Sequence, residues 1–403
     1  MTKRFARATE STIGGAGTSA KREMRIMKKT IAIGVGFLAA AILAASDVSA
    51  ATGDWPQYGF TAAGRRENTQ ETVLTRKTVP HLVQKWTAQI AVSAASAPAV
   101  ANGVVYVGSY DNHLYALDAK TGAQVWSAAT GGAIWSSPAV ADGVVYVGSA
   151  DSHVYAFDAE TGALRWATPV GYPVAAPVTV AKGLVYAGTV GGAFAISAKT
   201  GIVKWTTGAG VHIESAAPAV SDGVAYFGNG SDQLNAFDAK TGASLWSQNL
   251  AGVTLLPSAP ATYKGSVFIS DGSHLWAFDA KTGQMHWTTP DGDARDSGIA
   301  ITGGHVYVAE ATGLLETYDA ATGALTWTET GQLRDMAVPA LANGVIYLGG
   351  SNGNSSTVSA YDTQSDKLLW QDRSLSGGFG IPTISNGMLY VSKGGAFTAY
   401  GLP

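Results

Sequence analysis

The chain reads as an all-β protein, an eight-bladed β-propeller of four-stranded antiparallel blades, and three observations carry that reading. A phrase, Ala116-Leu-Asp118-Ala-Lys-Thr121-Gly122-Ala-Gln-Val-Trp126, returns ending at Trp166, Trp205, Trp246, Trp287, Trp327 and Trp370, and Trp86 stands one period upstream. The spacings from Trp86 onward are 40, 40, 39, 41, 41, 40 and 43 residues, a period that belongs to propellers and solenoids. Within each unit, short alternating apolar runs are separated by turn residues. The units can be counted, and the last lacks a strand that the N-terminal part of the chain supplies.

Taken in chain order, Met27-Lys28-Lys29-Thr30 precedes an apolar run from Ile31 to Ala45 and the small residues Val48-Ser49-Ala50. This is the charged, apolar and small-residue order of a secretory signal. The signal proper is expected at 27–50, cleaved after Ala50, with 1–26 an upstream extension. The run is short for a membrane span of about 20 apolar residues. Residues 51–81 form an N-terminal lead-in, and 82–403 the propeller. In the unit from Ser137 to Trp166, strands are expected at Pro138 to Ala141, Val144 to Ser149 and Val154 to Asp158, and a fourth opens at Leu164. Asp142-Gly143 joins the first pair, because a type I′ turn needs two residues that accept positive φ. Asp118, Asp158, Asp238, Asp279 and Asp319 recur before Thr-Gly or its equivalent, where a carboxylate accepts backbone N–H groups and holds the turn. Seven complete units end at Trp370; Gly380 to Tyr400 then supplies three strands and stops. The missing fourth strand is Leu82-Val-Gln-Lys-Trp86, so the last blade is expected to be stitched from both ends of the propeller.

The phrase A-x-D-x-x-T-G-x-x-x-W is similar to the tryptophan-docking motif of the quinoprotein-like (PQQ-like repeat) eight-bladed propellers. It is intact in four units and altered in three, at Ser197, Thr317 and Ser365-Asp366. The opening Asp54-Trp55-Pro56-Gln57-Tyr58-Gly59 and the stretch from Glu71 to Leu82 also resemble that superfamily's lead-in. The resemblance implies indoles docked against neighbouring blades, and it offers two roles. One is a non-catalytic scaffold, as in the propeller subunit of the outer-membrane β-barrel assembly machinery. The other is a dehydrogenase holding pyrroloquinoline quinone (PQQ) and calcium on the axis and oxidising alcohols or sugars. Short connections and the absence of a vicinal cysteine pair favour the scaffold, and no catalytic or calcium-binding motif of the dehydrogenases can be carried over.

Composition narrows the partners. Cleavage after Ala50 would leave 18 Lys and Arg against 26 Asp and Glu, a net charge of −8. Nucleic acid and anionic lipid both need a basic footprint, so neither is expected. With no cysteine there is no disulfide, thiolate metal site or lipoprotein-type lipid anchor. No metal site is expected and no resident cofactor is predicted; PQQ and calcium enter only with the dehydrogenase.

A single ligand needs a constellation that the repeats do not share. The loops between blades and those between second and third strands open on one face of a propeller. There the non-repeating residues are Trp135, Tyr172, His212, Glu214, Arg295, Asp296, Arg334, Asp335 and Phe379, with Asp271, Glu310 and Lys393 ending second strands. These twelve are the expected ligand-binding set, a mixed-charge pocket at the channel mouth with apolar walls from Trp135, Tyr172 and Phe379. Arg295 and Arg334 suit a carboxylate, since guanidinium donates two parallel hydrogen bonds; the competing reading is exposed loop ion pairs of small worth. The resulting expectation is an exported, periplasmic or secreted, non-catalytic propeller that binds a partner protein or extracellular polymer, with the PQQ-dependent dehydrogenase as the alternative.

Overall fold

Alternating apolar runs and Gly-containing turns produce eight twisted antiparallel sheets, seen in a computed structural model. It describes residues 53–403 apart from 91–95, 209–215, 231–232, 251–257, 291–297, 311–313, 331–337, 352–355, 376–379 and 394–395. Seven blades span 99–129, 139–169, 179–206, 219–249, 261–288, 299–330 and 340–375. The eighth combines 383–401 with Val83–Ala88, which pairs antiparallel with Ala396–Gly401. The expected closure by the N-terminal strand is therefore present. Strands are named a to d in each blade; the a strands touch one another in succession and so line the axis.

Blade 2 shows the local logic. Its strands are Ala139–Ala141, Val144–Gly148, His153–Asp158 and Leu164–Pro169. The a–b turn has Asp142 at φ 50° and Gly143 at φ 72°, the two positive angles of a type I′ turn. Asp158 Oδ1 accepts Glu160 N, Thr161 N and the Thr161 hydroxyl at 2.9–3.1 Å, so the c–d turn is clamped by its carboxylate. Strand d carries a bulge: Leu164 faces Phe157 and Trp166 faces Ala156, which leaves Arg165 unmatched. The same shift precedes the tryptophan in every blade. A bulge re-aims side chains, and here it accompanies an indole that crosses to the next blade.

The junctions of blade 1 with blade 2 and of blade 8 with blade 1 show how a dock is built. Trp126 Nε1 donates to Ala159 O at 3.0 Å in blade 2, and Tyr106 on strand b donates to the same carbonyl at 3.0 Å. Trp86 and Tyr390 of blade 8 likewise share Ala119 O of blade 1, at 3.1 Å each. Indole donors at 166, 205, 246 and 287 reach the corresponding carbonyls of their neighbours, and Trp370 donates instead to Leu82 O of blade 8 at 3.0 Å. The indole also lies over the turn glycine. A Cβ on Gly122 would stand 2.5 Å from the Trp86 ring, and one on Gly162 2.8 Å from Trp126. Glycine is thus required twice, for its positive φ and for the close approach.

The lead-in has a role the repeat does not announce. An inner strand carries unpaired N–H groups toward the axis, and buried donors need acceptors. In blades 1 to 7 the N–H of Val100, Val140, Val180, Val220, Thr262, Ile301 and Leu341 is met by Trp55 O, Pro56 O, Gln57 Oε1, Ala62 O, Ala63 O, Arg65 O and Arg66 O respectively, at 2.6–3.0 Å. Blade 8 is tied through Asn68, whose side chain donates to Ile384 O at 2.8 Å. Glu67–Asn68 adds a short parallel strand to strand a of blade 7. Residues 54–68 therefore visit the blades in order. Farther on, buried Glu71 accepts Gly387 N at 3.0 Å, and Arg76 pairs with Asp362 at 2.6 Å, so blades 7 and 8 are clasped before Val83 enters its sheet.

Candidate functional site

At the loop end of the axis, Asp111, Asp151 and Asp271 are bonded within their own blade or the adjoining loop. Asp151 follows strand b of blade 2. Its Oδ1 accepts His153 N at 3.1 Å, while Oδ2 accepts the Tyr155 hydroxyl and Gly131 N from the loop between blades 1 and 2. Partial burial pushes this carboxyl upward, but the bonds from Tyr155, Ser149 and His153 prevail and hold it below the usual carboxylate range. Asp111, His113 and Tyr115 repeat the arrangement in blade 1. The recurrence of His113 and His153 follows from it: each ring Nδ1 lies 2.9–3.0 Å from the carbonyl of its own aspartate.

Asp271 is the blade 5 variant of this clamp. It is fully buried; Oδ1 accepts Ser273 N at 2.9 Å and His274 N at 2.7 Å, and Oδ2 accepts Trp276 Nε1 at 2.8 Å. Glu310 is also buried, its backbone N–H donating to Leu314 O. Lys393 closes strand b of blade 8, paired with Ala396. Trp135 is half-buried between Ile134 and Ser136. Tyr172 is 44% exposed and lies over the blade 3 b–c turn, where a Cβ on Gly191 would stand 2.2 Å from its ring. His212, Glu214, Arg295, Asp296, Arg334, Asp335 and Phe379 lie outside the described residues. Of the expected set, the structure places Trp135 and Tyr172 on successive loops flanking blade 2, and buries Asp271 and Glu310.

The axis holds residues that sequence reasoning assigned only to a lead-in. Arg66, 1% exposed, donates from Nε to Pro339 O at 2.7 Å, from Nη2 to Pro382 O at 2.8 Å and from Nη1 to Tyr58 O. Its guanidinium lies 5.4 Å from the Trp55 ring centroid and 4.7 Å from that of Tyr58. Burial lowers its pKa to about 10, so it stays cationic at neutral pH, balanced by carbonyl dipoles and ring faces. Tyr58 clusters with Ala97, Ala217, Ala259, Val338 and Ile381, from blades 1, 4, 5, 7 and 8. Contacts that far apart around the ring put Tyr58 on the axis, where it closes the channel. The signal was the Trp-Pro-Gln-Tyr run; its axial position could not be read from spacing.

The dehydrogenase alternative calls for calcium with six to eight oxygen ligands beside the quinone. Among the described residues no group of three or more acidic or imidazole side chains is placed to hold a metal ion, and Asp271 already receives three N–H donors. The described residues therefore present no such calcium-holding group. Among them, too, no helix is long and apolar enough to cross a membrane.

Comparison with known proteins gives one family. The model described as outer membrane protein assembly factor BamB (PQQ_2) matches residues 69–133, 127–329, 271–360 and 312–402. No curated protein matches the chain. Among solved structures, BamB from Moraxella catarrhalis is similar with a TM-score of 0.66 and 18% identity, covering 80% of this chain and all of that one. The quinohemoprotein alcohol dehydrogenase ADHIIG from Pseudomonas putida HK5 gives 0.71 and 16%, over 87% of this chain and 80% of its own. A europium-containing methanol dehydrogenase gives 0.73 and 16%, over 87% and 98%. At these identities the likeness is one of fold.

Proposed function

Because this chain belongs to the family described as outer membrane protein assembly factor BamB, we propose that it is an exported, non-catalytic propeller that binds a partner protein or an extracellular polymer at its loop end. The observation that carries this reading is the engagement of Asp111, Asp151 and Asp271 within the structure itself. Carboxylates already bonded to backbone N–H and ring donors hold loops in shape, whereas a catalytic acid or base needs to face a substrate. What remains presented is loop surface, including Trp135 and the exposed Tyr172, and aromatic side chains at such positions are common anchors for protein partners. An extracytoplasmic location and cleavage after Ala50 belong to the same proposal. So do Arg295 and Arg334 as the groups that receive a partner's carboxylates.

Two measurements test it. Photo-crosslinking side chains placed at 135 and 172 in the exporting cell should trap one discrete partner, and the Arg295→Ala/Arg334→Ala variant should lose that adduct while melting like the parent. Adding PQQ and calcium to purified protein, followed by an alcohol and sugar panel with a redox dye, should give neither retained chromophore nor dye reduction. Turnover would replace the scaffold by the dehydrogenase.

A further inference from the structure

Departures from the repeat also gather at the opposite end, around the a–b turns of blades 3 to 5. The first turn residue is Asn102, Asp142, Lys182, Asp222, Lys264, Gly303, Asn343 and Asn386 in successive blades. Only blades 3 and 5 place a cation there, flanking blade 4. The residue before the turn is Ala, Ser or Thr in every blade except the fifth, where it is Tyr263. Arg65 of the lead-in lies 5.9 Å from the Tyr263 ring centroid and Lys264 5.2 Å from it. Among the described residues, Arg65, Lys182 and Lys264 donate no side-chain hydrogen bond and pair with no carboxylate.

Beside it lies a cavity of about 460 Å³. Its origin is a detour in the lead-in: after Gln57 the chain turns through Phe60, with Phe60 N bonded to Gln57 O at 2.8 Å and Arg66 N to Gly59 O at 3.0 Å. Tyr58 goes to the axis, and the space beneath blades 3 and 4 is left open. Phe60, at φ 67°, occupies a left-handed conformation that is costly for a bulky residue. It forms an apolar wall with Val180, Tyr186 and Val220, while Arg65 and Lys182 supply charge. Two carboxylates also line the cavity. Asp54 is engaged on both oxygens, by Asn386 Nδ2 at 3.1 Å and Asn102 N at 2.9 Å, and Asp222 accepts the Ser221 hydroxyl at 3.1 Å. Bonds from neutral groups leave both carboxylates charged, so the lining is balanced in charge; what it offers a ligand is the donors of Arg65 and Lys182, which have no carboxylate partner among the described residues. The volume falls within the usual range for small-molecule sites.

We propose that this cavity binds a small organic anion with a flat apolar body, its carboxylate held by Arg65 and Lys182 and its body laid against Phe60, Val180, Tyr186 and Val220. The site lies at the end of the axis remote from the loops and does not depend on the partner reading. Calorimetric titration of the full exported chain with benzoate, 2-naphthoate and indole-3-acetate, each beside its neutral carboxamide, tests it. At least one carboxylate should bind one-to-one, at least tenfold tighter than its amide, and weaken with added salt. Arg65→Gln and Lys182→Gln should each reduce that affinity about tenfold with the melting temperature unchanged. Equal binding of acid and amide, no saturable binding by any of the three, or wild-type affinity in both variants would overturn the site.

Discussion

The dock that closes the ring can be tested at a pair of positions that meet across the last junction, Trp86 of blade 8 and Gly122 in the c–d turn of blade 1. Trp86 is 9% exposed, and Trp86→Ala should cost about 3–5 kcal/mol from lost burial and the remaining cavity. Gly122→Ala faces two penalties. Its φ of 73° is left-handed, worth about 1–2 kcal/mol for a residue with a Cβ, and the new methyl would stand 2.5 Å from the indole, an overpacking cost of about 1–3 kcal/mol. In the Trp86→Ala background the methyl has room, so only the backbone penalty should remain. The double variant should then be more stable than the sum of the singles by about 1–3 kcal/mol. Gly103→Ala is the control, since its φ is 75° but no atom lies within 4 Å of its Cβ. It should cost the backbone term alone and show no coupling to residue 86. Urea titrations at constant slope measure all five variants. A coupling under about 0.5 kcal/mol, or equal costs at 103 and 122, would refute the indole-over-glycine account.

Acidification should destabilise the blades in a defined window. The Asp158 carboxyl is held at about 2 by Arg165 and the Thr161 N–H and hydroxyl, and Asp118, Asp238, Asp279 and Asp319 are lowered by their Thr partners. Depressed carboxyls stabilise the fold above their ordinary range near 4 and lose that contribution as pH falls toward 2; a melting temperature flat between pH 4 and 2 would contradict this. Arg66→Met should lower stability by about 2–4 kcal/mol, because three carbonyls lose a charged donor inside the channel, and a neutral outcome in urea would show that they find other partners. Asp271→Asn should cost about 1–3 kcal/mol, since its amide would face N–H donors of Ser273, His274 or Trp276, yet leave partner adducts at 135 and 172 intact. Loss of the adducts at unchanged melting temperature would place Asp271 in the binding set.

The repeat determined most of the architecture by itself. Tryptophan spacing gave the blade number, Asp-Gly and Asn-Gly gave the a–b turns, and the three-stranded remainder after Trp370 required Val83–Ala88 to complete it. These signals are legible because each is local, a turn or a pleat set by a few adjacent residues, and because eight copies repeat it. The tertiary structure alone decided three further matters. Trp55 to Asn68 carries no periodicity, yet it meets the inner edge of every blade, since unpaired N–H groups converge on the axis only when the ring is closed. Asp271 looked like a departure from the repeat and is a buried clamp, because in blade 5 Trp276 takes the part that Tyr155 plays in blade 2. Arg65 and Lys182 lie far apart in the sequence, and only the curvature of the ring and the detour at Phe60 bring them to one cavity.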